Sequence, residues 1–424
     1  MIYNILDYGA VGDGKSDATD AIRKAIDQCH LLGGRVYIPA GEFLSGTIFL
    51  KSNIELYLEQ GAVLRADIER EEMEYFLVAY HEKNIVISGR GKIDGQGRKR
   101  FVDDNADNGA HECPLNVNGK RARTTYFEDV EGLTIQGVTF YDAAFWTVHM
   151  AGCREVLIEG IKILNNDRGP NNDGIDPDCC KDVIIRGCIV ETGDDAIVIK
   201  TTKKMAKLYG ACENIIIQNC ILHSRDSALK IGTETFADIK NIIFSDCIVK
   251  DCSRGVGIWS RDGGSISKIY VHHIMGNTRQ YADCPQREFA PRWWGKGEPI
   301  FISATRRKDG ERVPGKIKEL FFDHINLTAE SAIFIAGESE SVIKSIELNE
   351  VDICWKRQSK HDPKVFDEQP SKRDVYEHEI PCVYGRYANN IKVQGKLKVD
   401  KSLSEIIKKK VILDFCEDFK IIEE

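Results

Sequence analysis

Residues 183–190 read VIIRGCIV, and the same pattern returns as IIIQNCIL at 215–222 and as IIFSDCIV at 242–249. Looser copies extend over most of the chain, at a spacing of roughly 23 to 32 residues. Runs of β-branched residues at this spacing, interrupted by Gly, Asn or Asp, are typical of a β-solenoid, in which each coil stacks on the previous one. The sequence therefore predicts an all-β fold, a β-solenoid.

One segment has helical rather than strand periodicity. The residues from Asp17 to Leu32 form an amphipathic pattern that begins with acidic side chains, as the helix dipole favours. A solenoid needs a plug, because its end coil otherwise exposes apolar side chains and unpaired strand edges. We therefore predict a capping helix at 17–32 on a single β-helix domain, 1–424, with loop insertions at 276–316 and 355–385 near any cleft.

The composition argues against several classes of partner. A formal net charge of -8 disfavours nucleic acid or an anionic membrane as the main partner. The sequence contains no apolar run long enough for a transmembrane helix, which needs about 18 residues or more. Its first residues lack the basic and apolar regions of a signal peptide. We therefore predict a cytoplasmic protein, or a secreted one if a leader has been removed; the sequence does not indicate an oligomeric state.

Cysteine usage supports the cytoplasmic prediction. Fourteen cysteines in a long chain favour a reducing compartment and free thiols. Three of them occupy equivalent positions in the repeat, so the stacking of coils predicts a ladder of small inward-facing side chains rather than a metal site. This ladder consists of Cys188, Cys220 and Cys247.

Three aspartates stand close together in sequence between residues 171 and 195, namely Asp173, Asp194 and Asp195. Like charges at this density repel, and one carboxyl is expected to hold its proton above the usual pKa. A protein tolerates such a cluster where it needs a proton donor beside a proton acceptor, or where it binds a metal. Both interpretations are open at this point.

Aligning the second strand of each coil places the acids in register with other polar residues. Equivalent positions in successive coils lie about 4.8 Å apart. The alignment predicts a cleft with acids in the middle, an aromatic at one end and cations at the other, which suits an extended anionic sugar. One outward ladder consists of Trp146, Asp173, Asp195, Ser227 and Arg254. The neighbouring ladder consists of His149, Asp176, Val198, Lys230 and Gly257.

The sequence NNDGID at 171–176, followed by GDD at 193–195, resembles the acid motifs of glycoside hydrolase family 28, the polygalacturonases and rhamnogalacturonan hydrolases. The segments 7–14, 41–47 and 93–97 resemble the opening and early coils of that family. The resemblance covers the chain from about residue 5 to about residue 275 and implies a right-handed parallel β-helix. It also implies an enzyme that needs no metal or other cofactor.

By this resemblance, Asp194 is expected to be the general acid that protonates the glycosidic oxygen. Asp173 and Asp195 are expected to hold and deprotonate the attacking water. An inverting hydrolysis of this kind places acid and base far enough apart for a water molecule, about 6.5–9.5 Å. Asn171 is expected to orient an acid or contact the sugar, and Asp176 is either on the catalytic face or structural.

Two family motifs are altered in this chain. The family segment that begins with Gly-His-Gly aligns on residues 226–232, where Ser227 takes the place of the histidine. The Arg-Ile-Lys motif aligns on 257–259, where Gly257 and Trp259 replace both cations that grip a galacturonate carboxylate in polygalacturonases. We hypothesise that Lys230, with Arg254, binds the acidic group instead; a solvated lysine is the alternative.

Tryptophans are concentrated in and near the 276–316 insertion. Their indole faces are expected to stack on sugar rings, with a hydrophobic plug as the alternative. An insertion that blocks one end of the cleft would make the enzyme exo-acting. The residues expected to bind substrate are Asn171, Asp176, Trp146, His149, Lys200, Ser227, Lys230, Arg254, Trp259, Trp293 and Trp294.

The function we expect is inverting hydrolysis of an α-linked, galacturonate- or rhamnose-containing pectic oligosaccharide at a chain end, with an acidic oligosaccharide as the partner. A β-helix polysaccharide lyase or uronate epimerase is one alternative, in which the four aspartates ligate Ca²⁺. A noncatalytic carbohydrate-binding solenoid is the other. The aspartates concerned are Asp173, Asp176, Asp194 and Asp195.

Overall fold

A computed structural model of the chain describes residues 1–70, 72–281, 295–307, 312–361 and 379–423. Each coil adds one strand to a small parallel sheet and two short strands, or one long strand, to a large parallel sheet, and the apolar side chains between the sheets form one continuous core. The predicted all-β parallel β-helix is confirmed.

The repeat quoted above sets the register of the large sheet. Val183 pairs with Ile215, Ile215 with Ile242 and Ile242 with Ile269, in parallel. The residue that interrupts each repeat is a corner in the left-handed conformation, with φ of 63° at Gly187, 57° at Asn219 and 54° at Asp246. Gly, Asn and Asp tolerate this conformation better than other residues do, so the interruptions in the sequence are the corners of the coils.

The large sheet has 23 strands among the described residues. Its strands are Ile2–Asn4, Asp13–Asp17, Gly34–Ile38, Gly41–Ser45, Ile54–Leu58, Ala62–Ala66, Lys83–Gly89, Lys92–Asp94, Glu131–Gln136, Thr139–Tyr141, Arg154–Glu159, Lys162–Leu164, Lys181–Arg186, Ile189–Thr192, Cys212–Gln218, Ile221–Ser224, Ile239–Cys252, Ile266–Thr278, Ile317–Ala329, Ile343–Trp355, Ala388–Gly395, Leu397–Val399 and Phe419–Glu423.

The small sheet has 12 strands, and the aspartate cluster directly precedes two of its central strands, Ile175–Asp178 and Ile197–Thr201. Its strands are Ile48–Phe49, Tyr75–Tyr80, Arg123–Glu128, Val148–Ala151, Ile175–Asp178, Ile197–Thr201, Ser227–Thr235, Arg254–Ser260, Glu298–Ala304, Ile333–Ala336, Val383–Arg386 and Val411–Asp414. A separate antiparallel pair joins Phe101–Val102 to Asn116–Val117.

The N-terminal helix extends over Thr19–Leu32, two residues inside the predicted start. Its apolar side chains, among them Ile22 and Ile26, are buried against the first coils, while its capping role stays a prediction. A second helix, Lys203–Tyr209, was not predicted. Short 3-10 helices occupy Ile5–Tyr8 and Gly97–Arg100. Neither α-helix of the described residues has the length and apolar character needed to cross a bilayer.

Two expectations from the sequence need correction. Residues Glu298–Ala304, predicted to lie in a loop insertion, form a strand of the small sheet, because their alternate side chains fill the core beneath it. Twelve cysteines are free thiols, including the buried ladder of Cys188, Cys220 and Cys247, but Cys113 is disulfide-bonded. Trp293 and Trp294 lie outside the described residues.

Candidate active site

The predicted ladders are present in the small sheet. His149 pairs with Asp176, Val198 with Lys230 and Lys230 with Gly257. In the adjacent ladder Ser227 pairs with Arg254, and the amide of Thr147 donates to the carbonyl of Asp173. The aspartates therefore meet because stacking of coils superimposes positions that lie far apart in sequence.

The three aspartates form one compact cluster. They are almost completely buried, with 3% of Asp173, 6% of Asp194 and 2% of Asp195 exposed. One carboxylate oxygen of each lies within 4.8 Å of the others. The distance is shorter than the separation of about 6.5–9.5 Å that the inverting mechanism implies for an acid and a single base. In this cluster a water molecule can contact two carboxylates at once instead of lying between an acid and one base.

Backbone contacts hold the turn that carries Asp194. The amide of Gly193 donates to Asn172 Oδ1 at 2.8 Å, and a Cβ on Gly193 would lie only 2.5 Å from the carbonyl oxygen of Gly169. Only glycine permits this approach of two coils. Asp194 accepts hydrogen bonds from the amides of Asn171 and Asp195, both at 3.0 Å. Asn171 thus orients the expected general acid through its backbone, while its side chain is exposed.

Asp173 belongs to an ion cluster with Lys200. The Nζ atom of Lys200 lies 2.8 Å from Asp176 Oδ1 and 3.6 Å from Asp173 Oδ2. The same Nζ atom lies 3.7 Å from the centre of the Trp146 ring, a cation–π contact. Burial lowers the pKa of Lys200, but Asp176 and Asp173 outweigh it and raise that pKa. Lys200 is therefore a permanent positive charge beneath Asp173.

Asp195 is paired in the same way with Lys230. The Nζ atom of Lys230 lies 2.8 Å from Asp195 Oδ2 and 3.1 Å from Asp226 Oδ2. Arg254 Nη1 then contacts Asp226 Oδ1 at 2.5 Å, and Ser227 donates to that oxygen at 3.1 Å. A buried chain of alternating charges therefore extends from Asp195 to Arg254.

These contacts correct the hypothesis for Lys230 and Arg254. Arg254 is fully buried, and the ammonium group of Lys230 already contacts two carboxylates. The alignment gave the position of each cation in its ladder but not its partner. Asp226 was overlooked, because residues four apart on an extended strand are separated by about 13 Å and the sequence gives no sign that these two meet.

Trp259 packs in the core instead of facing the cleft. Its ring centre lies 5.0 Å from that of Phe301, and only 1% of the residue is exposed. A Cβ at Gly257 would lie 2.3 Å from the indole ring. Gly257 and Trp259, the two replacements at the family's cation motif, therefore depend on each other: the missing side chain at 257 makes room for the indole.

We expect Gly257→Ala to destabilise the protein by about 1–3 kcal/mol, the usual effect of overpacking a filled core. The measurement is the free energy of unfolding in a denaturant titration. Combining it with Trp259→Leu should restore part of the loss, because the smaller side chain accommodates the added methyl group. Additive losses in the double variant would show that the two sites are independent.

Other predicted substrate contacts also lie beneath the cleft. Asp176 and Ser227 are fully buried; Ser227 donates a hydrogen bond to Asp226, and Asp176 forms an ion pair with Lys200, which favours the structural alternative for Asp176. His149 packs edge-on against Trp146 and contacts Asp178 at 3.6 Å. Burial lowers the pKa of His149, against the opposing effect of Asp178 and Asp176. Trp146 is half-buried and keeps part of its surface exposed.

Burial raises the pKa of all three catalytic candidates. For Asp173 the neighbouring charges of Asp194 and Asp176 raise the pKa further. For Asp194 and Asp195 the charge of Asp226 adds to burial, and Lys230 acts in the opposite direction. Lys200 contacts Asp173, and Lys230 contacts Asp195. Within the described residues Asp194 is therefore the one carboxyl group of the three that has no cation contact.

A metal would have to compete with these cations. The oxygen atoms of the three aspartates are close enough to ligate one ion. Lys200 and Lys230 already supply positive charge to Asp173 and Asp195, so the prediction that no metal is needed stands as a prediction. A second group within the described residues consists of Asp246, His272 and His273 on the large sheet.

The family model of Glycosyl hydrolases family 28 matches residues 32–282, more than half of the chain. The chain belongs to this family. The predicted family and the predicted class of enzyme, a glycosidase, are therefore confirmed. Within this family 28 protein, the matched range contains the three aspartates and every ion pair described above.

Curated relatives of this family 28 protein include plant enzymes. A probable polygalacturonase of Vitis vinifera is 28% identical over 66% of the chain, which spans 61% of that relative's length. An exopolygalacturonase of Zea mays is 24% identical, with 68% of the chain and 70% of the relative covered. A polygalacturonase of Gossypium barbadense is 26% identical, with 82% of both chains covered.

Solved structures support the fold of the family 28 protein. The exopolygalacturonase from Thermotoga maritima superposes with a TM-score of 0.66 at 24% identity, covering 84% of this chain and 87% of that one. The family 28 exopolygalacturonase of Yersinia enterocolitica gives a TM-score of 0.71 at 18% identity, covering 100% and 79%. At these identities the likeness concerns the fold.

Proposed function

We propose that this family 28 protein hydrolyses an α-linked, galacturonate- or rhamnose-containing pectic oligosaccharide, with inversion and from a chain end. The observation that carries the proposal is the unequal pairing of the three aspartates. Asp195 and Asp173 have ammonium partners, which stabilise their ionised forms, whereas Asp194 has none. The curated relatives named polygalacturonase support a pectic substrate, and the maize exopolygalacturonase supports action at a chain end.

In the proposed mechanism Asp194 is protonated and donates its proton to the glycosidic oxygen as the bond from the anomeric carbon to that oxygen breaks. Asp173 and Asp195 hold a water molecule, whose oxygen forms the new bond to the anomeric carbon. The proton of the water passes to one of these two carboxylates. The greater exposure of Asp194, 6% against 3% and 2%, supports its role as the group that meets the leaving oxygen.

The stereochemical outcome tests the mechanism. We expect the first product of an α-linked oligogalacturonide to be the β-anomer, because water attacks the face opposite the leaving group. Proton NMR of the anomeric signals during the first minutes of turnover measures this. The separation of less than 4.8 Å between carboxylate oxygens favours retention as the second candidate, for which the α-anomer would appear first.

The same reaction tests the other functions. A lyase would produce an unsaturated uronide with ultraviolet absorbance and would depend on Ca²⁺, whereas a hydrolase produces new reducing ends without absorbance. A noncatalytic solenoid would bind the oligosaccharide and yield neither product. End-labelled oligomers separate release of terminal units from internal cleavage, so one assay distinguishes all four outcomes.

A further inference from the structure

Two arginines near the catalytic cluster keep their charge without an acidic partner. Arg121 and Arg123 are both partly exposed, and neither forms an ion pair with any described residue. The guanidinium carbons lie 4.6 and 4.9 Å from the centre of the Phe145 ring. Arg123 also lies 4.8 Å from the centre of the Trp146 ring, and its Nε atom is buried without a hydrogen-bond acceptor. The Nε–H group of Arg123 is therefore oriented by stacking and left unsatisfied.

The other cations close to the acids are already neutralised. Lys200, Lys230 and Arg254 each contact a buried aspartate at 3.1 Å or less. An incoming carboxylate would have to displace one of those aspartates. Arg123 imposes no such cost, because rings rather than described carboxylates contact its guanidinium group. Arg121 also lacks a carboxylate partner, but its guanidinium group donates to the carbonyl oxygens of Ala144 and Pro170 and to Asn171 Oδ1, so it contributes charge rather than free donors.

Arg121 is connected to the expected general acid. Its Nη2 atom donates to Asn171 Oδ1 at 3.0 Å, and the amide of Asn171 donates to Asp194 Oδ2 at 3.0 Å. Burial lowers the pKa of Arg121, and the charges of Asp194 and Asp173 act against that effect. The neighbouring Trp146 ring lies against Lys200, and Lys200 contacts Asp173. A sugar beside these rings is therefore next to the reacting bond.

The geometry points to a subsite for the carboxylate of a uronic acid residue, formed by Arg121 and Arg123 with Phe145 and Trp146. A guanidinium stacked on a ring can keep its edge N–H groups available, as in Arg123, and their fork matches a carboxylate. Phe145 and Trp146 are half-buried, so the ring surface that the cations leave uncovered can contact C–H groups of the sugar. This subsite lies on the Trp146 side of the acids, opposite to Gly257 and Trp259, where the family's cation motif would be.

The test compares one substrate pair and one matched pair of variants. The subsite rests on the proposed hydrolase function. The two substrates are an oligogalacturonide and the same oligomer with its carboxyl groups reduced to neutral alcohols. We expect Arg123→Met to raise KM for the acidic oligomer about 10- to 100-fold more than KM for the neutral one. Arg123→Lys should recover part of the difference. Arg35→Met, which removes an arginine stacked on Tyr57 of the large sheet, is the control and should change neither value.

Equal changes in both KM values, or none, would overturn the subsite. Arg123 is the residue to change, because Arg121 also bonds Asn171 and its loss would disturb Asp194. Calorimetric titration of the Asp194→Asn protein with both oligomers supplies a measurement independent of turnover. If the unaltered protein cleaves neither oligomer, the hydrolase proposal fails. The subsite would still be supported if the Asp194→Asn/Arg123→Met protein binds the acidic oligomer, but not the neutral one, more weakly than the Asp194→Asn protein does. Unchanged binding there would reject it.

Discussion

Replacing Asp194 by Asn should lower kcat about 10²- to 10⁴-fold, the contribution usual for a general acid. The amide is nearly the same size as the carboxyl group and keeps one acceptor oxygen. The hydrogen bond from the amide of Asp195 to Oδ1 can therefore persist, whereas the bond from the amide of Asn171 to Oδ2 is lost. The variant thus removes the proposed proton donor and one backbone hydrogen bond. Initial rates of reducing-end release from an oligogalacturonide give the measurement.

The free energy of unfolding distinguishes a loss of catalysis from a loss of the folded state. Asp194 is buried without a cation contact within the described residues, and the proposed mechanism has it protonated, so its neutral replacement should lower the free energy of unfolding by no more than about 0.5–1.5 kcal/mol, the contribution of one hydrogen bond. Asp182→Asn, on an exposed corner of the same coil, is the matched control and should keep full activity. Normal turnover by Asp194→Asn would remove Asp194 from the mechanism. An intact fold that binds the oligosaccharide and turns it over about 10²- to 10⁴-fold more slowly is the result we expect.

Replacing Lys230 by Met should be the most damaging single change to both activity and stability. It leaves Asp195 and Asp226 buried without the ammonium group they share. Breaking a buried ion pair from one side costs about 3–5 kcal/mol. The free energy of unfolding, measured by denaturant titration at neutral pH, reports this loss. Lys240→Met, which removes a surface lysine paired with Glu213, should cost less than about 1 kcal/mol.

The same variant has a defined effect on the pH profile. Lys230 holds down the pKa of Asp195, which burial and Asp226 raise. Without it the pKa of Asp195 rises further, and the carboxylate that must be ionised to activate water is protonated over a wider range. The acidic limb of the kcat/KM profile should therefore move to higher pH. A profile of unchanged shape with a uniformly lower rate would indicate that Lys230 only supports the fold.

Much of the fold could be predicted because its signals are local. The alternation of β-branched residues predicts strands, and Gly187, Asn219 and Asp246 mark the corners where the backbone turns left-handed. Once the coils are counted, stacking brings Asp173, Asp194 and Asp195 together without further information. The strand Glu298–Ala304 was missed because sequence around it has no recognisable repeat.

The pairing of charges could not be predicted in the same way. Lys230 contacts a carboxylate 35 residues away in sequence, and Arg121 contacts a side chain 50 residues away. Such contacts depend on the depth and direction of side chains, which a register alignment leaves undefined. For this reason Lys230 and Arg254 were expected to face the substrate, and Arg121 and Arg123 were overlooked.

The sequence by itself determined that this chain is a β-helix of family 28 with three aspartates in one place, because strand periodicity, corner residues and motif spacing are properties of the chain in order. The tertiary structure alone decided which cations are available to a ligand. A buried charge is stable only with a partner, so Lys200, Lys230 and Arg254 pair inside the coils. The arginines that rest on aromatic rings keep their charge for the cleft.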